Sequence, residues 1–277
     1  MTISERFEYE EISGFRFGYA PIGRPRMVSH VYYVDGLLID TGHPWVRKEV
    51  LHAVRGLPID QQFITHYHED HTGNLAALQQ HLDCPAYAPP LTCSIMQDPP
   101  PTNLAQLYTW GTRPTFRHLR PKTGSLYTGK YRLDLIPIPG HAPDMVALHE
   151  PDRGWLFSAD LYINSYISFF INDESMLDQI RSMQRVLKLD FDVMLCGHNP
   201  QFDKPKEALR KKLAFFEEFF GRVKELHAKG LTATEIFKAM KLKEATMIKL
   251  ASYGTLSKMH MVRSAIRDIE STAIATS

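Results

Sequence analysis

The chain has 277 residues, of which 44% are hydrophobic and 23% charged, a composition that is typical of soluble globular proteins and excludes an extended disordered chain. The formal net charge of +1 gives no general attraction to nucleic acid, so a nucleic-acid partner is not expected. No segment is long and apolar enough to span a membrane. Three cysteines at irregular spacing, with no signal-peptide pattern at the N-terminus, indicate a cytoplasmic protein.

The first elements predicted along the chain form a β-meander. Strand patterns occupy much of residues 15–39, and a hairpin turn is predicted at Asp35-Gly36. Asp40 follows the last of these strands directly, where a carboxylate could orient a metal-bound imidazole; an ordinary turn explains it equally well. Apolar residues at helical spacing predict a helix over residues 45–54.

The next predicted strand ends at Ile64 and leads into a dense cluster of histidines and carboxylates. The cluster reads Thr65-His66-Tyr67-His68-Glu69-Asp70-His71-Thr72-Gly73. Imidazole and carboxylate groups are common zinc ligands, and one loop here carries enough of them to begin two neighbouring metal sites. Oxygen donors among histidines favour a catalytic site over a structural one, because structural zinc is usually enclosed by cysteines.

A long excursion follows a short helix predicted over residues 75–81. Residues 87–121 are rich in proline and large apolar side chains, and we expect an irregular or partly helical segment. Such a segment can lie over a site as a lid, or it can cover a separate apolar cluster. The sequence leaves both arrangements open.

Three later strand patterns also end at a candidate metal ligand, and a further strand is predicted over residues 145–149. Residues 131–138 precede Pro139-Gly140-His141, residues 154–159 precede Asp160, and residues 191–195 precede Cys196-Gly197-His198. Loops at one edge of a sheet usually build the sites of α/β enzymes. We therefore expect these residues to join the histidine cluster.

Residues 205–277 have helical patterns throughout. The first helix is predicted to end near Gly230, and a capping box at Thr232 and Glu235 predicts a second helix. A last helix is predicted over about residues 256–269. This extension is expected to pack on the rest of the chain or against a second subunit, so a homodimer remains open.

These motifs, in this order, resemble those of the metallo-β-lactamase-fold hydrolases, in the dinuclear branch that includes glyoxalase II and the lactonases. The resemblance covers roughly residues 15–199. It implies an α/β fold, a four-layer αβ/βα sandwich, with a catalytic domain over residues 1–204 and the helical extension over residues 205–277. It also implies that the metals lie at one edge, between the two sheets.

The resemblance assigns a role to each candidate ligand. The first metal would be bound by His66, His68 and His141, the second by Asp70, His71 and His198, and both by Asp160 as a bridge. Two divalent metal ions are expected, and Zn²⁺ is the ion that these ligand types favour. Iron or manganese also suits nitrogen and oxygen donors. The chain is less similar to β-lactamases with a cysteine ligand, because an aspartate occupies the bridging position.

The implied activity is hydrolysis of an ester, thioester or lactone bond of a small molecule by hydroxide held between the two metals. Asp70 is expected to orient this nucleophile or to handle its proton. Tyr166 is expected to donate a hydrogen bond to the oxyanion, with Tyr162 and Phe169 lining an apolar pocket. Positions in the core would suit these three aromatic residues at least as well.

Three other functions are considered. A mononuclear iron oxidoreductase of the same fold, of the persulfide dioxygenase type, is disfavoured because the second ligand set is complete. A metal-binding regulatory protein is compatible with the helical extension. A nuclease is disfavoured by the near-neutral charge and the absence of an additional nuclease domain.

Overall fold

The computed structural model describes residues 1–25, 27–113 and 115–276, which contain two β-sheets flanked by helices. The strands of the first sheet are β1 (Thr2–Tyr9), β2 (Ile12–Tyr19), β3 (Ser29–Val34), β4 (Leu37–Ile39), β5 (Gln61–Phe63), β6 (Ala86–Ala88) and β7 (Arg120–Pro121). The strands of the second sheet are β8 (Ser125–Tyr127), β9 (Arg132–Pro137), β10 (Val146–Glu150), β11 (Trp155–Ala159) and β12 (Val193–Cys196).

The helices lie between and after these strands. They are α1 (Arg47–Ala53), α2 (Glu69–Thr72), α3 (Leu75–Gln79), α4 (Pro90–Ile95), α5 (Leu104–Thr109), α6 (Met176–Val186), α7 (Pro205–Ala228), α8 (Ala233–Ala239), α9 (Thr246–Ala251) and α10 (Lys258–Thr276). A 3₁₀ turn at Pro44–Val46 precedes α1. Within the described residues, every helix is too short or too polar to cross a lipid bilayer.

The order of the strands brings the ends of distant segments to the same edge. The first sheet is antiparallel from β1 to β4 and parallel from β4 to β7. The second sheet is antiparallel from β8 to β11, with β12 parallel to β11. Asp40 and Thr65 follow the parallel strands β4 and β5, and Asp160 and Gly197 follow the parallel strands β11 and β12. Because neighbouring parallel strands end at the same edge of a sheet, the two residues of each pair lie close together.

The two sheets pack face to face through alternating side chains. On β11, Trp155 and Phe157 lie in the cluster between the sheets, whereas Leu156 lies in the cluster on the other face. Alternation is expected because successive side chains of a strand point to opposite faces. Both faces of β11 are apolar and buried, which is the pattern of a strand inside a layered sandwich.

Helices cover the outer face of each sheet. Val50 of α1 packs in one cluster with Leu38 of the first sheet, and Met183 of α6 and Phe216 of α7 share another with Leu156. The layers are therefore helix, sheet, sheet and helix. The predicted four-layer sandwich with C-terminal helices is confirmed.

The helical extension begins where it was expected, because α7 starts at Pro205. Both hydrogen bonds of the predicted capping box at Thr232 and Glu235 are present. The large apolar cluster on the second sheet includes residues from both sides of the 204/205 boundary. The division into two domains stays a prediction.

Several elements differ from the predicted ones. The edge strand β1 was not predicted, because most of its residues are polar and exposed and Glu5 interrupts the alternation of Ile3, Phe7 and Tyr9. Helix α6 was not predicted either, although Met176, Ile180 and Met183 have helical spacing. The excursion over residues 87–121 contains α4, α5 and the short strand β7, which pairs with β6.

Candidate metal centre

The histidine cluster lies on a buried loop between the two sheets. His66 and His71 are fully buried, and His68 follows β5 on the same loop. The backbone N–H of Thr65 donates to Asp40 Oδ1 at 2.9 Å, and the carbonyl of Thr65 accepts from Val146 of the second sheet at 3.1 Å. The loop is thus held by hydrogen bonds to both sheets.

A first group of ligand atoms is formed by four of the predicted residues. These atoms all lie within 4.8 Å of one another, and the residues are His66, His68, His141 and Asp160. Nδ1 of His68 lies 3.2 Å from His66 Nε2 and 3.0 Å from His141 Nε2. Three imidazole nitrogens and one carboxylate oxygen therefore surround one point.

A second group lies beside the first and shares its aspartate. Its ligand atoms also lie within 4.8 Å of one another, and the residues are Asp70, His71, Asp160 and His198. Nε2 of His198 lies 3.5 Å from Asp70 Oδ2 and 3.1 Å from Asp160 Oδ2. The structure thus brings all seven predicted ligands together, and the binding of metal by them stays a prediction.

Asp160 occupies the position common to both groups. Its Oδ2 lies 3.3 Å from His141 Nε2, and its Oδ1 lies 3.3 Å from His71 Nε2. A Cβ atom on Gly197 would collide with Asp160 Oδ1, so the absence of a side chain there leaves room for the carboxylate. Ala159, directly before Asp160, has a φ of 46°, a strained conformation of the kind that clusters at functional sites.

The electrostatics of the centre fit cations. Burial holds the pKa of His66 and of His68 well below 6.5, so both imidazoles are neutral and offer lone pairs. Burial also opposes protonation of His71, but Asp160, Asp40 and Asp70 outweigh it and raise its pKa well above 6.5. The carboxylates thus attract positive charge to the place where a metal would bind.

Two buried polar atoms in the centre also have no hydrogen-bond partner among the residues that the structure describes. They are Asp160 Oδ1 and His71 Nε2, which face each other across the second group. Buried polar atoms without partners are costly unless something else binds them. A divalent ion bound by carboxylate oxygen and imidazole nitrogen satisfies both, so the residues present fit two metal ions of this type.

The outer nitrogens of the candidate ligands have partners of their own. The Nδ1–H of His71 donates to Asp40 Oδ2 at 2.7 Å, which is the contact predicted for Asp40. The Nδ1–H of His198 donates to the carbonyl of Val28 at 2.7 Å. Asp40 adopts a φ of 62° in doing so. Such partners fix the tautomer and the direction of a ligating imidazole.

Replacing Asp40 with asparagine is expected to weaken binding of the ion at the second group by about 10–100-fold, because the amide holds the imidazole of His71 less firmly. Competition with a chromophoric chelator measures this affinity. Asp152→Asn, on the exposed turn before β11, is the control. Equal affinities of the Asp40→Asn and wild-type proteins would contradict a role for Asp40 at the metal centre.

Trp110 and Arg113 of the excursion lie against residues of the centre or of its histidine loop. The ring of Trp110 stacks on His198, with 5.7 Å between centroids and 18° between planes. Arg113 forms an ion pair with Glu69, N to O 3.0 Å, and its guanidinium lies 4.7 Å from the centre of the Tyr67 ring. The segment therefore packs beside the centre. Trp110 is one of the large apolar side chains noted in this excursion, whereas Arg113 was not singled out in the sequence.

The predicted substrate-binding aromatics lie in different environments. Tyr166 is 68% exposed, and its ring contacts Phe215 of α7 at 5.6 Å. Tyr162 is buried in the cluster on the second sheet, as its alternative explanation implied, and Phe169 is half-buried. No hydrogen bond joins Tyr166 to a candidate ligand within the described residues, and its role as an oxyanion donor stays a prediction.

The cysteines of the chain are free, and only one adjoins the centre. Cys196 ends β12 one residue before Gly197, and burial raises the pKa of its thiol to about 12. A buried, protonated thiol is a poor metal ligand and a poor nucleophile. Cys196 acts instead as a small apolar residue, and its Sγ accepts from the backbone of Asn199 at 3.3 Å.

A four-layer sandwich with two histidine and carboxylate groups at the edge of its sheets defines a class of metalloproteins. The chain belongs to the metallo-β-lactamase superfamily, whose sequence model matches residues 24–198. The resemblance inferred from the motifs is thereby confirmed.

Individual relatives are distant. The chain is 25% identical over 167 residues to an uncharacterized protein from Aquifex aeolicus, with 59% of this chain and 78% of that one covered. It is 26% identical over 137 residues to a hydroxyacylglutathione hydrolase from Bdellovibrio bacteriovorus, with 49% of this chain and 47% of that one covered. The match thus spans about half of the hydrolase.

Among solved structures, a beta-lactamase domain protein from Burkholderia ambifaria is similar over most of its length. The TM-score is 0.66 at 17% identity, and 93% of this chain and 86% of that one are covered. This likeness establishes the fold, and it extends into the C-terminal helices because it covers nearly the whole chain.

Proposed function

We propose that the protein is a metal-dependent hydrolase that cleaves an ester, thioester or lactone bond of a small molecule with two divalent metal ions. The observation that carries this proposal is the pair of ligand groups that share Asp160. A single structural ion needs no second group beside it. Two groups with a common carboxylate suit a pair of ions acting on one substrate.

The residues that would hold the ions are already grouped. The first ion would be held by His66, His68 and His141, the second by Asp70, His71 and His198, and both by Asp160. When bound, such ions lower the pKa of water towards about 7 and polarise a carbonyl oxygen. Zinc is the ion expected from the ligand types, and iron or manganese suits the same donors.

Asp70 and Trp110 are proposed to position the attacking water and to limit access of bulk water to the centre. Asp70 is only 3% exposed, and its Oδ2 lies 3.6 Å from His71 Nε2. A carboxylate at this position can accept a hydrogen bond from the attacking water and keep it directed at the substrate. The indole of Trp110, stacked on His198, shields one side of the centre and limits access of bulk water there.

The choice of ester, thioester or lactone rests on the resemblance to the glyoxalase II branch. The hydroxyacylglutathione hydrolase from Bdellovibrio bacteriovorus supports this choice, although the match covers 47% of that protein. The presence of an aspartate at the shared position, with a protonated Cys196 nearby, distinguishes the centre from those with a cysteine ligand.

Removal of metal is expected to abolish hydrolysis. Protein purified without added metal is expected to contain about two ions per chain by plasma emission spectrometry and to hydrolyse members of a thioester and lactone panel. Dialysis against a chelator should remove the ions and the activity, and added Zn²⁺ should restore both. The same ions with no turnover on the panel would contradict the hydrolase and favour a regulatory protein.

A mononuclear iron oxidoreductase remains the alternative within the fold. This function predicts about one iron ion per chain and no hydrolysis of the thioester and lactone substrates. The second ligand group argues against it, because Asp70, His71 and His198 would have no metal to bind. The metal stoichiometry separates the two functions.

A further inference from the structure

A buried lysine on the helical extension contacts the polypeptide beside the metal centre. Lys212 lies on α7 and is 2% exposed. Its Nζ donates to the carbonyl of Leu161 at 2.7 Å and to Oε1 of Gln179 at 3.4 Å, and it lies 5.2 Å from the centre of the Phe216 ring. Within the described part of the chain, the hydrogen-bond acceptors of this ammonium group are a backbone carbonyl and an amide oxygen, and neither is a carboxylate.

The position of this lysine is energetically unfavourable for simple packing. Burial lowers the pKa of Lys212 to about 8, against the opposing influence of the Glu174 and Asp160 carboxylates. A buried charge without a direct counter-ion costs free energy, and an apolar residue of similar size would usually be neutral or better for stability. The lysine therefore calls for an explanation other than the stability of the fold.

One arm of hydrogen bonds leads from Lys212 to a candidate ligand of the first ion. Gln179 accepts from Lys212 with its Oε1 and donates from its Nε2 to Glu174 Oε2 at 2.8 Å. The same carboxylate oxygen of Glu174 lies 3.4 Å from Nδ1 of His141. Carboxylates in this position orient a ligating histidine and strengthen its donor nitrogen.

A second arm leads from Lys212 to the shared aspartate. Leu161, whose carbonyl accepts from Lys212, directly follows Asp160 in the chain. Oδ2 of Asp160 lies 3.3 Å from Nε2 of His141, where the first arm ends. The two arms thus start at one ammonium group and end on two residues of the same ligand group.

The surroundings keep the first arm in place. The hydroxyl of Ser264 and the guanidinium of Arg267, both on α10, each donate to the carbonyl of Glu174 at 2.7 Å. A Cβ atom on Gly140 would collide with the backbone of Gln179, so this glycine allows α6 to approach the turn that carries His141. Two helices of the extension therefore support the centre.

We propose that Lys212 is a positioning residue for the metal centre: through its two hydrogen-bonded arms it sets the placement of His141 and Asp160, so that the helical extension determines the affinity for the first metal ion. This inference rests on the proposed metal-dependent function. It gives the extension a role in the centre that does not require contact with substrate.

The test is the Zn²⁺ affinity of a Lys212→Met variant, measured on metal-free protein by competition with a chromophoric chelator. We expect the ion held by His141 to bind about 10–100-fold more weakly, and the other ion, which shares only Asp160 with this network, to be affected much less. The free energy of unfolding of the metal-free variant should stay close to the wild-type value, because removal of the buried charge offsets the two acceptors left without a donor. Lys211→Met, exposed on the same helix, is the matched control and should change neither quantity.

A second variant keeps the test valid if Lys212→Met does not fold. Gln179→Met interrupts the first arm alone and should weaken the same ion. The double variant should be no weaker than the more affected single one, because both substitutions act on one network. In Co²⁺-substituted protein, the visible absorption of the ion held by the first ligand group should change in each variant, since a reoriented His141 alters the ligand field of that ion.

Two results would overturn the inference. One is unchanged Zn²⁺ affinity in Lys212→Met and Gln179→Met, and the other is a loss of affinity that is matched by an equal loss of stability in the metal-free protein. A wild-type protein that binds no Zn²⁺ would instead contradict the proposed function. The two failures are therefore distinguishable.

Discussion

Replacing Asp160 with alanine is expected to remove both metal ions and to abolish hydrolysis. Asp160 is the only residue among the described ones that belongs to both ligand groups, and it lies within 3.3 Å of histidine nitrogens in each. Without it, the five histidines of the two groups lose the carboxylate that they share. We expect kcat/KM to fall at least about a thousandfold, which corresponds to ~4 kcal/mol of transition-state stabilisation.

Emission spectrometry and the thioester and lactone assays measure the two effects together. His198→Ala, which removes a ligand of the second group only, should lose one ion and retain the other. Asp152→Ala, on an exposed turn, should behave as the wild-type protein does. A variant of Asp160 that still binds two ions would show that the two groups do not depend on a shared carboxylate.

Replacing Arg113 with methionine is expected to destabilise the fold by about 3–5 kcal/mol, because it leaves a buried carboxylate without its partner. The side chains of Arg113 and Glu69 are each 2% exposed, and their ion pair spans 3.0 Å. Arg113 also covers the ring of Tyr67, the residue before His68. Its removal therefore loosens the ligand loop on both sides of that histidine.

Unfolding in denaturant, on metal-free protein, measures this loss. The double variant Arg113→Met with Glu69→Met should recover most of the stability, because no buried charge is left unpaired. The exposed pair Arg222 and Glu225 on α7 is the matched control, and its disruption should cost no more than about 1 kcal/mol. A similar small loss for Arg113→Met would show that Glu69 is stabilised by other groups.

The ligand groups could be predicted because their chemistry is local. His66, His68, Asp70 and His71 lie on one loop, and their donor atoms suit a metal whatever surrounds them. The remaining ligands follow strand ends, and parallel strands bring such ends to one edge. Residue type and strand position thus sufficed to indicate which side chains meet.

The placement of the aromatic residues after Asp160 could not be predicted in the same way. Tyr162 and Tyr166 are four residues apart on one loop, yet the first is buried and the second is largely exposed. The difference depends on how the loop packs on α7, since Tyr166 contacts Phe215. Neither residue type nor spacing contains that information.

The sequence by itself indicated the superfamily and the layered fold through the resemblance of its motifs to a known family, and the set of candidate metal ligands through residue chemistry and position at strand ends. Apart from the contact of Asp40 with His71, the tertiary structure alone decided which side chains support the residues beside those ligands. Arg113 reaches Glu69 across 44 positions of sequence, and Lys212 reaches Leu161 across 51. Contacts at such separations depend on packing of whole elements, and no local pattern in the chain specifies them.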